Sequence, residues 1–146
     1  MNEIDYNIQE ASILDLEIIY TLTNLLENTT FSLSNFRTIY AQLLQSPFDY
    51  IYILKYQNKA IGYIHFNVVP QLHHSDIVSE IFELVIDNDY RKLGFGKVLL
   101  DYAVQTARNL NATQIELVSS FPRERAHAFY EKNGFEKTSY KMIMKL

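Results

Sequence analysis

The sequence contains no cysteine and no tryptophan, and glycine and proline are scarce, at 4 and 3 residues. Without cysteine the chain can form no disulfide, no thiolate metal site and no cysteine nucleophile. No apolar run approaches the roughly 20 residues that cross a bilayer. The acidic segment 1–5 also lacks the pattern of a signal peptide. These absences lead us to expect a cytoplasmic protein that does not enter a membrane.

The remaining composition is that of an ordinary globular domain. The chain has 146 residues, of which 48% are hydrophobic and 21% are charged. This length predicts one domain, spanning residues 1–146, with enough apolar surface to bury a core. The formal net charge of −4 argues against a nucleic-acid partner, which would require a basic face. It mildly favours a cationic substrate.

Hydrophobic periodicity predicts a mixed α/β (α+β) fold in the order β-α-α-β-β-β-α-β-α-β. The sheet is expected to be mostly antiparallel, with a parallel crossover around the helix at 95–110. The expected strands cover residues 4–10, 50–56, 60–69, 77–86, 114–118 and 136–146. The expected helices run to about residue 26 after a cap at Ser12, and over residues 31–45, 95–110 and 122–133.

Several short signals mark where these elements begin and end. Ser12 with Asp15 three positions on resembles an N-terminal capping box. Asn111 and Gly134 suit left-handed caps after the last two helices. Residues 57–59 form a plausible tight turn between two strands, and Pro70 is expected to close the second of them.

The segment Arg91–Gly96 has the chemistry of an anion site, because it lies between a strand and the start of a helix. Backbone N–H groups in the first turn of a helix lack internal partners, and the helix dipole adds positive potential there. Gly94 and Gly96 would let a phosphate approach the backbone. Positive charge is available from Arg91, Lys92 and Lys97.

Two common phosphate motifs do not match this segment. A P-loop requires glycine at the position of Arg91 and a serine or threonine after Lys97, which Val98 replaces. A dinucleotide-binding fingerprint requires a third glycine at the position of Leu99. Glycines that serve only as a helix cap remain equally consistent with the spacing.

The linked motifs from residue 79 to 146 resemble the GNAT family of N-acetyltransferases. The pattern Arg/Gln-x-x-Gly-x-Gly/Ala between a strand and a helix is the acetyl-CoA signature of that family, and Arg91–Gly96 has it. The resemblance continues through Ile115-Glu116-Leu117, Arg125–Tyr130 and Asn133-Gly134-Phe135. Lys92 stands where glycine is frequent, at a small expected cost. The block around Tyr130 also resembles the aminoalkylphosphonate N-acetyltransferases.

The resemblance implies an acyltransferase that uses acetyl-CoA as co-substrate and needs no metal. In such proteins two parallel strands splay apart and the pantetheine arm fills the gap. By match these strands are 81–86 and 115–119, and the Val85 N–H would polarise the thioester carbonyl. The cofactor-binding residues implied in this way are Leu84, Val85, Ile86, Arg91, Lys92, Leu93, Gly94, Phe95, Gly96, Lys97 and Ser119.

The same resemblance suggests the catalytic residues. Tyr130 matches a tyrosine near the cofactor sulfur that can protonate the leaving thiolate. Glu80 and Glu83 match two positions at which the family has a glutamate base. Ideal strand alternation places them on opposite faces, so only one should reach the cleft unless a bulge intervenes. A water-mediated deprotonation, or glutamates that are merely solvated, are the alternatives.

The histidines are interpreted more simply. His73 and His74 are expected in a substrate-side loop, since adjacent histidines rarely chelate one metal ion and no third ligand is evident. His65 in a strand and His127 in a helix are typical structural histidines. Segment 123–125 is read as a solvated helix start.

Three functions are consistent with these residues. The first is acetylation of a primary amine on a small molecule, by a monomer or homodimer. The second is a CoA-binding sensor without turnover, which would need neither Tyr130 nor a base. The third is acetylation of protein N-termini or lysines, and the segments expected to form the acceptor walls, 27–48 and 70–78, do not decide between them.

Overall fold

A computed structural model describes residues 5–146 of the chain. The five strands are β1 (Tyr6–Glu10), β2 (Asp49–Tyr56), β3 (Lys59–Gln71), β4 (Asp76–Ile86) and β5 (Ile115–Leu117). The four helices are α1 (Leu16–Glu27), α2 (Leu33–Gln45), α3 (Phe95–Asn109) and α4 (Glu124–Lys132). Short 3-10 turns precede α1 and follow β4. The predicted mixed α/β class is confirmed, and Ile4, the predicted start of the first strand, lies outside the described residues.

The strands form one sheet in the order β1-β2-β3-β4-β5. Neighbours from β1 to β4 are antiparallel, and β4 pairs with β5 in parallel. A parallel pair requires a crossover connection, which α3 supplies. The mostly antiparallel sheet with a crossover around residues 95–110 is therefore as predicted.

The helix caps predicted at Ser12, Asn111 and Gly134 are present in the structure. The Ser12 side chain accepts from the backbone at the start of the first helical turn, and Asp15 accepts from the Ser12 N–H at 2.8 Å. Asn111 and Gly134 both have positive φ angles, of 66° and 95°. These local devices set the helix ends because each satisfies backbone groups that the helix leaves unpaired.

The β2–β3 hairpin turns at Gln57 and Asn58, which both have positive φ, as a two-residue turn of this hand requires. Contrary to prediction, Pro70 does not close β3, which continues to Gln71. The β2 pairing ends at Asn67, so at Pro70 the strand pairs only with β4. A proline on that free side interrupts no ladder hydrogen bond.

The sheet separates two apolar clusters. One lies against α3 and includes Ile64, Phe66, Ile81, Leu99 and Leu100. The other lies beneath α1 and α2 and includes Ile19, Leu22, Tyr40, Tyr63 and Val85. Side chains of β3 and β4 alternate between the clusters because successive strand residues face opposite sides.

The predicted strand over 136–146 is absent from the described part of the chain, where the last strand is β5. Its large apolar side chains remain exposed, with Met142 at 91% and Met144 at 85% of full accessibility. A strand requires a partner to satisfy its backbone groups, and among residues 5–146 this segment pairs with no strand of the sheet. Hydrophobic periodicity favours a strand here, but periodicity does not supply a pairing partner.

Candidate active site

A cleft opens where β4 and β5 diverge. Their parallel pairing covers only Ser79 to Ile81 on β4, yet β4 continues alongside β3 to Ile86. Among the cleft's lining residues are Glu83 and Leu84 from β4, Ser119 beyond β5, and Tyr130 from α4. The structure thus brings together four of the predicted site residues, drawn from three separate parts of the chain.

A β-bulge in β4 determines which face of the sheet the two candidate glutamates occupy. Ile81 pairs with Phe66 and Glu83 with His65, so Phe82 is an extra residue without a β3 partner. Glu80 and Glu83 therefore stand opposite Asn67 and His65, two positions that share one face of β3. The bulge anticipated as the exception to ideal alternation is present.

Glu83 belongs to a partly buried ion-pair network that the sequence did not reveal. His65 Nδ1 lies 3.0 Å from Glu83 Oε2, and His65 Nε2 lies 2.7 Å from Asp49 Oδ1. The three residues come from three neighbouring strands, β4, β3 and β2. His65 is only 6% exposed, so its ring is fixed between the two carboxylates. Both ring nitrogens of His65 have hydrogen-bond partners, as expected for a structural histidine. One of these partners, Glu83, lines the cleft.

Geometry and charge together favour the imidazolium form of His65. A neutral ring has one N–H and could donate to only one of the carboxylates, whereas the protonated ring donates to both. Burial opposes the charge, but the hydrogen bonds and negative charges of Glu83 and Asp49 outweigh it and raise the pKa of His65. The network orients the Glu83 carboxylate at the wall of the cleft.

A second, mostly apolar cavity lies between the sheet and the helices α1 and α2, and Glu83 lines it as well. His65 and Tyr63 supply further polar groups, and the Tyr63 hydroxyl is 2.6 Å from Thr23 Oγ1. Burial raises the pKa of Tyr63, so its phenol stays neutral. Glu83 thus stands between a cleft on the Tyr130 side and an apolar cavity on the α1–α2 side.

Glu80 lies in different surroundings. It lines neither cavity in the part of the chain that the structure describes. Burial and the nearby charge of Glu116 raise the pKa of Glu80, and Lys141 opposes that rise. Its backbone N–H binds the Asn67 side chain at 3.0 Å.

Tyr130 faces the cleft from α4. Its ring packs edge-on against Phe129 and Phe135, with centroids 5.2 and 5.4 Å away. Burial raises the pKa of Tyr130 to about 12, although the positive charge of Arg123 opposes the rise. The phenol is therefore protonated at neutral pH and can donate a hydrogen bond. Phe129 packs on the α3 side of the core, as expected for the neighbouring residue on the helix.

Arg123 is a cleft residue that sequence reasoning missed by treating 123–125 as a solvated helix start. Its Nη2 lies 3.1 Å from Glu27 Oε2, which joins the start of α4 to the end of α1. The residue also lines the cleft beside Tyr130. A sequence signal for this role was lacking because the two partners are almost a hundred residues apart.

The helix start at the predicted anion site has the expected form. Gly94 caps α3 with φ of 89°, in the left-handed region, and Phe95 begins the helix. Arg91 Nε donates to the Ile86 carbonyl oxygen at 3.2 Å, which ties this loop to the end of β4. Lys97 forms an exposed ion pair with Asp101. Backbone N–H groups in the first turn of a helix have no partner within that helix.

Lys92 corrects one expectation. Its φ is 65°, a left-handed conformation that favours glycine. The cost of a lysine at this position was expected to be small, but a non-glycine residue pays roughly 1–2 kcal/mol for that conformation. Glycine would adopt this left-handed conformation at no steric cost, which gives a backbone reason for its frequency at this position in the family.

His73 and His74 occupy the exposed turn between β3 and β4. Their rings are 4.3 Å apart, and His74 Nε2 lies 3.8 Å from Glu116 Oε2. Within residues 5–146, no group of three or more histidine or acidic side chains is arranged to hold a metal ion. No helix over the same residues is long and apolar enough to cross a bilayer.

Comparison with known proteins agrees with the geometry. Residues 16–135 match the model of the Acetyltransferase (GNAT) family. The chain is 27% identical over 139 residues to an aminoalkylphosphonate N-acetyltransferase of Salmonella typhimurium, covering 95% of this chain and 90% of the relative. It is 36% identical over 94 residues to an uncharacterized N-acetyltransferase of Bacillus subtilis, over 63% of this chain and 66% of that one.

Its fold is also shared with solved structures. An aminoglycoside N-acetyltransferase crystallised with CoA superposes with a TM-score of 0.87 at 16% identity, over 99% of this chain and 97% of that one. At such low identity the likeness concerns the fold alone. The family match spans most of the chain and includes both the helix start at Gly94 and Tyr130. The chain belongs to the GNAT family of N-acetyltransferases, whose members use acetyl-CoA as the acyl donor.

Proposed function

We propose that this protein transfers the acetyl group of acetyl-CoA to a primary amine on a small molecule, by direct attack of the amine on the thioester. One observation carries the proposal. Glu83 and Tyr130 line the same cleft, at the point where β4 and β5 separate. One is suited to accept a proton and the other to donate one, which are the two proton transfers that the reaction requires.

The donor would lie along a path from α3 to α4. Its pyrophosphate would meet the first-turn N–H groups of α3 at segment 94–96, with Arg91, Lys92 and Lys97 nearby. The pantetheine arm would follow the unpaired edge of β4 at residues 84–86, opposite Ser119. The Asp87 N–H donates to the Ile61 carbonyl oxygen, so by alternation Val85 is in a hydrogen-bonded pair with Tyr63 and its N–H faces β3. The edge groups beside the gap would therefore come from Leu84 and Ile86, in place of the Val85 N–H expected from the sequence.

The reaction proceeds through a tetrahedral intermediate. The amine nitrogen lone pair forms a bond to the thioester carbon, and the carbonyl electron pair moves to oxygen. An N–H group of β4 would stabilise that oxyanion. The intermediate then collapses, the C–S bond breaks, and the sulfur takes a proton from Tyr130. The nitrogen loses its extra proton as the amide forms, and that proton, passed through solvent, restores the Tyr130 phenol. The products are the N-acetyl amide and free CoA thiol.

Glu83 is the better supported of the two glutamates as the base. It reaches both cavities, whereas Glu80 reaches neither in the described chain. Its carboxylate is held by His65 at 3.0 Å. Its second oxygen can accept a proton from the ammonium group directly or through a water. His65 and Asp49 act as positioning residues in this scheme.

A small acceptor is supported by the polar and apolar parts of the site. The cavity beneath α1 and α2 is lined by side chains such as Phe36, Leu43 and Tyr63, with Glu83 at its polar end. A carboxylate beside apolar walls is suited to a cationic amine with a modest organic group. The aminoalkylphosphonate acetyltransferase among the relatives makes aminoalkylphosphonates a natural part of the acceptor panel.

A thiol-release assay tests the proposal. Purified protein is incubated with acetyl-CoA and a panel of small amines, aminoalkylphosphonates, N-terminal peptides and lysine peptides. We expect CoA release with at least one small amine and a fall of roughly a hundredfold in kcat for Glu83→Gln. Glu80→Gln is the matched control and should change kcat by less than about threefold, because the base contribution belongs to Glu83.

Other results would point elsewhere. CoA binding without thiol release for any acceptor would support the sensor function instead. Release with peptides alone would indicate protein acetylation. A larger loss in Glu80→Gln than in Glu83→Gln would move the base to Glu80.

A further inference from the structure

The cavity beneath α1 and α2 combines apolar walls with a few polar groups. Thr23, Tyr63, His65 and Glu83 are among its lining residues, and most of the others are aliphatic or aromatic. A polar group away from water is costly unless it is hydrogen-bonded, so each of these groups needs a partner in the protein or in a ligand. Which of them can donate and which can accept therefore determines what the cavity can hold.

Two short hydrogen bonds fix the direction of the hydroxyl protons. The Thr23 hydroxyl donates to the Ile19 carbonyl oxygen at 2.6 Å, which uses its only proton. The Tyr63 hydroxyl lies 2.6 Å from the same Thr23 oxygen, so Tyr63 must be the donor of that second bond. The phenol oxygen of Tyr63 then has lone pairs and no further proton to give. Tyr63 is therefore an acceptor toward the cavity.

The other donors of the lining are already in use. The two ring nitrogens of His65 face Glu83 and Asp49, at 3.0 and 2.7 Å. The Tyr40 hydroxyl donates to the Ser12 carbonyl oxygen at 2.6 Å. Glu83 contacts His65 through Oε2, and its Oε1 can accept a further hydrogen bond. Within residues 5–146, the polar side chains of this cavity thus offer acceptors and no free donor.

The charges of the site favour the same kind of ligand. Among the described residues that line the cavity there is Glu83 but no lysine or arginine. Arg123 lines the neighbouring cleft, and its guanidinium is paired with Glu27 at 3.1 Å. An anionic group inside the cavity would find no free donor and would lie near the Glu83 carboxylate, and like charges placed together are strongly unfavourable.

We propose that the acceptor is a primary alkylamine or arylalkylamine whose only charged group is its ammonium, and that amines carrying a phosphonate or a carboxylate are excluded. This inference rests on the proposed function, because it names the acceptor class of the same site. The ammonium would donate to Glu83 Oε1 and to the Tyr63 oxygen. The apolar body would lie against walls that include Ile19, Phe36 and Leu43. Tyr63 is thus a specificity-determining residue for the amine.

Equilibrium binding of two amines of the same shape tests the proposal without requiring turnover. Neohexylamine and aminoethylphosphonate both carry an aminoethyl chain on a tetrahedral group, which is tert-butyl in one and phosphonate in the other. Isothermal titration calorimetry of the CoA-saturated protein should give neohexylamine a Kd at least roughly a hundredfold lower than that of aminoethylphosphonate. Neohexanol, which lacks the ammonium, should bind about tenfold more weakly than neohexylamine. Equal or tighter binding of aminoethylphosphonate or neohexanol would overturn the proposal.

The variant Tyr63→Phe tests the role of the phenol oxygen. It removes one acceptor and keeps the ring, so the Kd for neohexylamine should rise about tenfold while the Kd for CoA stays unchanged. Tyr20→Phe is the matched control, because the Tyr20 hydroxyl donates to the Phe31 carbonyl oxygen and neither residue lines the cavity. It should leave both values unaltered. Circular dichroism verifies that both variants are folded, and an unchanged Kd for neohexylamine in folded Tyr63→Phe would overturn the role of Tyr63.

Turnover of the same compounds separates this inference from the proposed function. Thiol release with aminoethylphosphonate but not with neohexylamine would uphold acetyl transfer and overturn the acceptor class. Selective binding of neohexylamine without thiol release from any amine would uphold the ligand class of the cavity and overturn acetyl transfer.

Discussion

His65 illustrates how one buried side chain organises the charge at the cleft. It has a carboxylate at each ring nitrogen, and only the protonated ring can donate to both. With His65 charged, the three groups carry one net negative charge, which is less costly to bury than two. The His65 imidazolium therefore holds the Glu83 carboxylate at the cleft wall. No positively charged substrate is needed to orient it.

This arrangement predicts a pH-dependent stability at the residue scale. The folded pKa of His65 is raised, so its stabilising effect is complete below its ordinary pKa of 6.5 and is lost as pH rises through the folded value. At low pH within the folded range, His65→Gln should lower the free energy of unfolding by about 3 kcal/mol. The difference should shrink at alkaline pH.

Urea denaturation of wild type and His65→Gln across a pH series measures this effect. His73→Gln is the control, because His73 lies in an exposed turn. Its free energy of unfolding should follow the wild type at each pH. A His65→Gln deficit that grows as pH rises would contradict a raised pKa for His65.

At the scale of an element, the start of α3 combines two glycines with different requirements. Gly94 has φ of 89°, and a Cβ there would meet no atom within 4 Å, so its constraint is conformational. Gly96 is helical, and a Cβ there would meet the Phe129 ring at 3.6 Å, an ordinary contact. Only the first position favours glycine on conformational grounds.

Alanine at these two positions should therefore have opposite effects on stability. Gly94→Ala places a side chain in the left-handed region and should cost about 1–2 kcal/mol. Gly96→Ala removes the entropic penalty of a helical glycine and should stabilise by up to about 1 kcal/mol. Thermal unfolding of both variants tests this, and equal destabilisation would show that steric crowding at α3 dominates instead.

Sequence patterns predicted most elements because their determinants are local. The Ser12 cap, the turn at 57–58 and the left-handed residues Asn111 and Gly134 all depend on neighbours within a few positions. The predictions failed where pairing with a strand distant in the sequence determines the structure. Pro70 is tolerated because the pairing with β2 stops at Asn67, and the 136–146 segment has no strand partner among the described residues.

The same distinction applies to the site. The helix start at Gly94 and the tyrosine at 130 are carried by contiguous motifs. The link from Glu83 through His65 to Asp49 spans 18 and 16 residues and depends on strand register. The bulge at Phe82 shifts that register by one, which no alternation in the sequence indicates.

At the scale of the whole molecule, the two faces of the sheet would serve different substrates. The α3 side supports the helix start that would bind the donor's pyrophosphate, and the α1–α2 side encloses the cavity proposed for the acceptor. The cleft and this cavity share Glu83, near the point where β4 and β5 diverge. Arg123 closes this junction by joining α4 to α1 through Glu27. Acyl transfer at that point would let both substrates enter from separate sides.

The most direct test of this account is the Tyr130→Phe variant, with kcat for thiol release and the Kd for CoA measured on the same preparation. Because the pKa of Tyr130 is about 12, its phenol is a proton donor throughout the neutral range. We expect kcat to fall roughly a hundredfold and the Kd for CoA to stay unchanged. Tyr6→Phe, at the exposed β1, should leave both values unaltered. Full kcat in Tyr130→Phe would contradict the proposed acid, and CoA binding without thiol release in the wild type would contradict acetyl transfer itself.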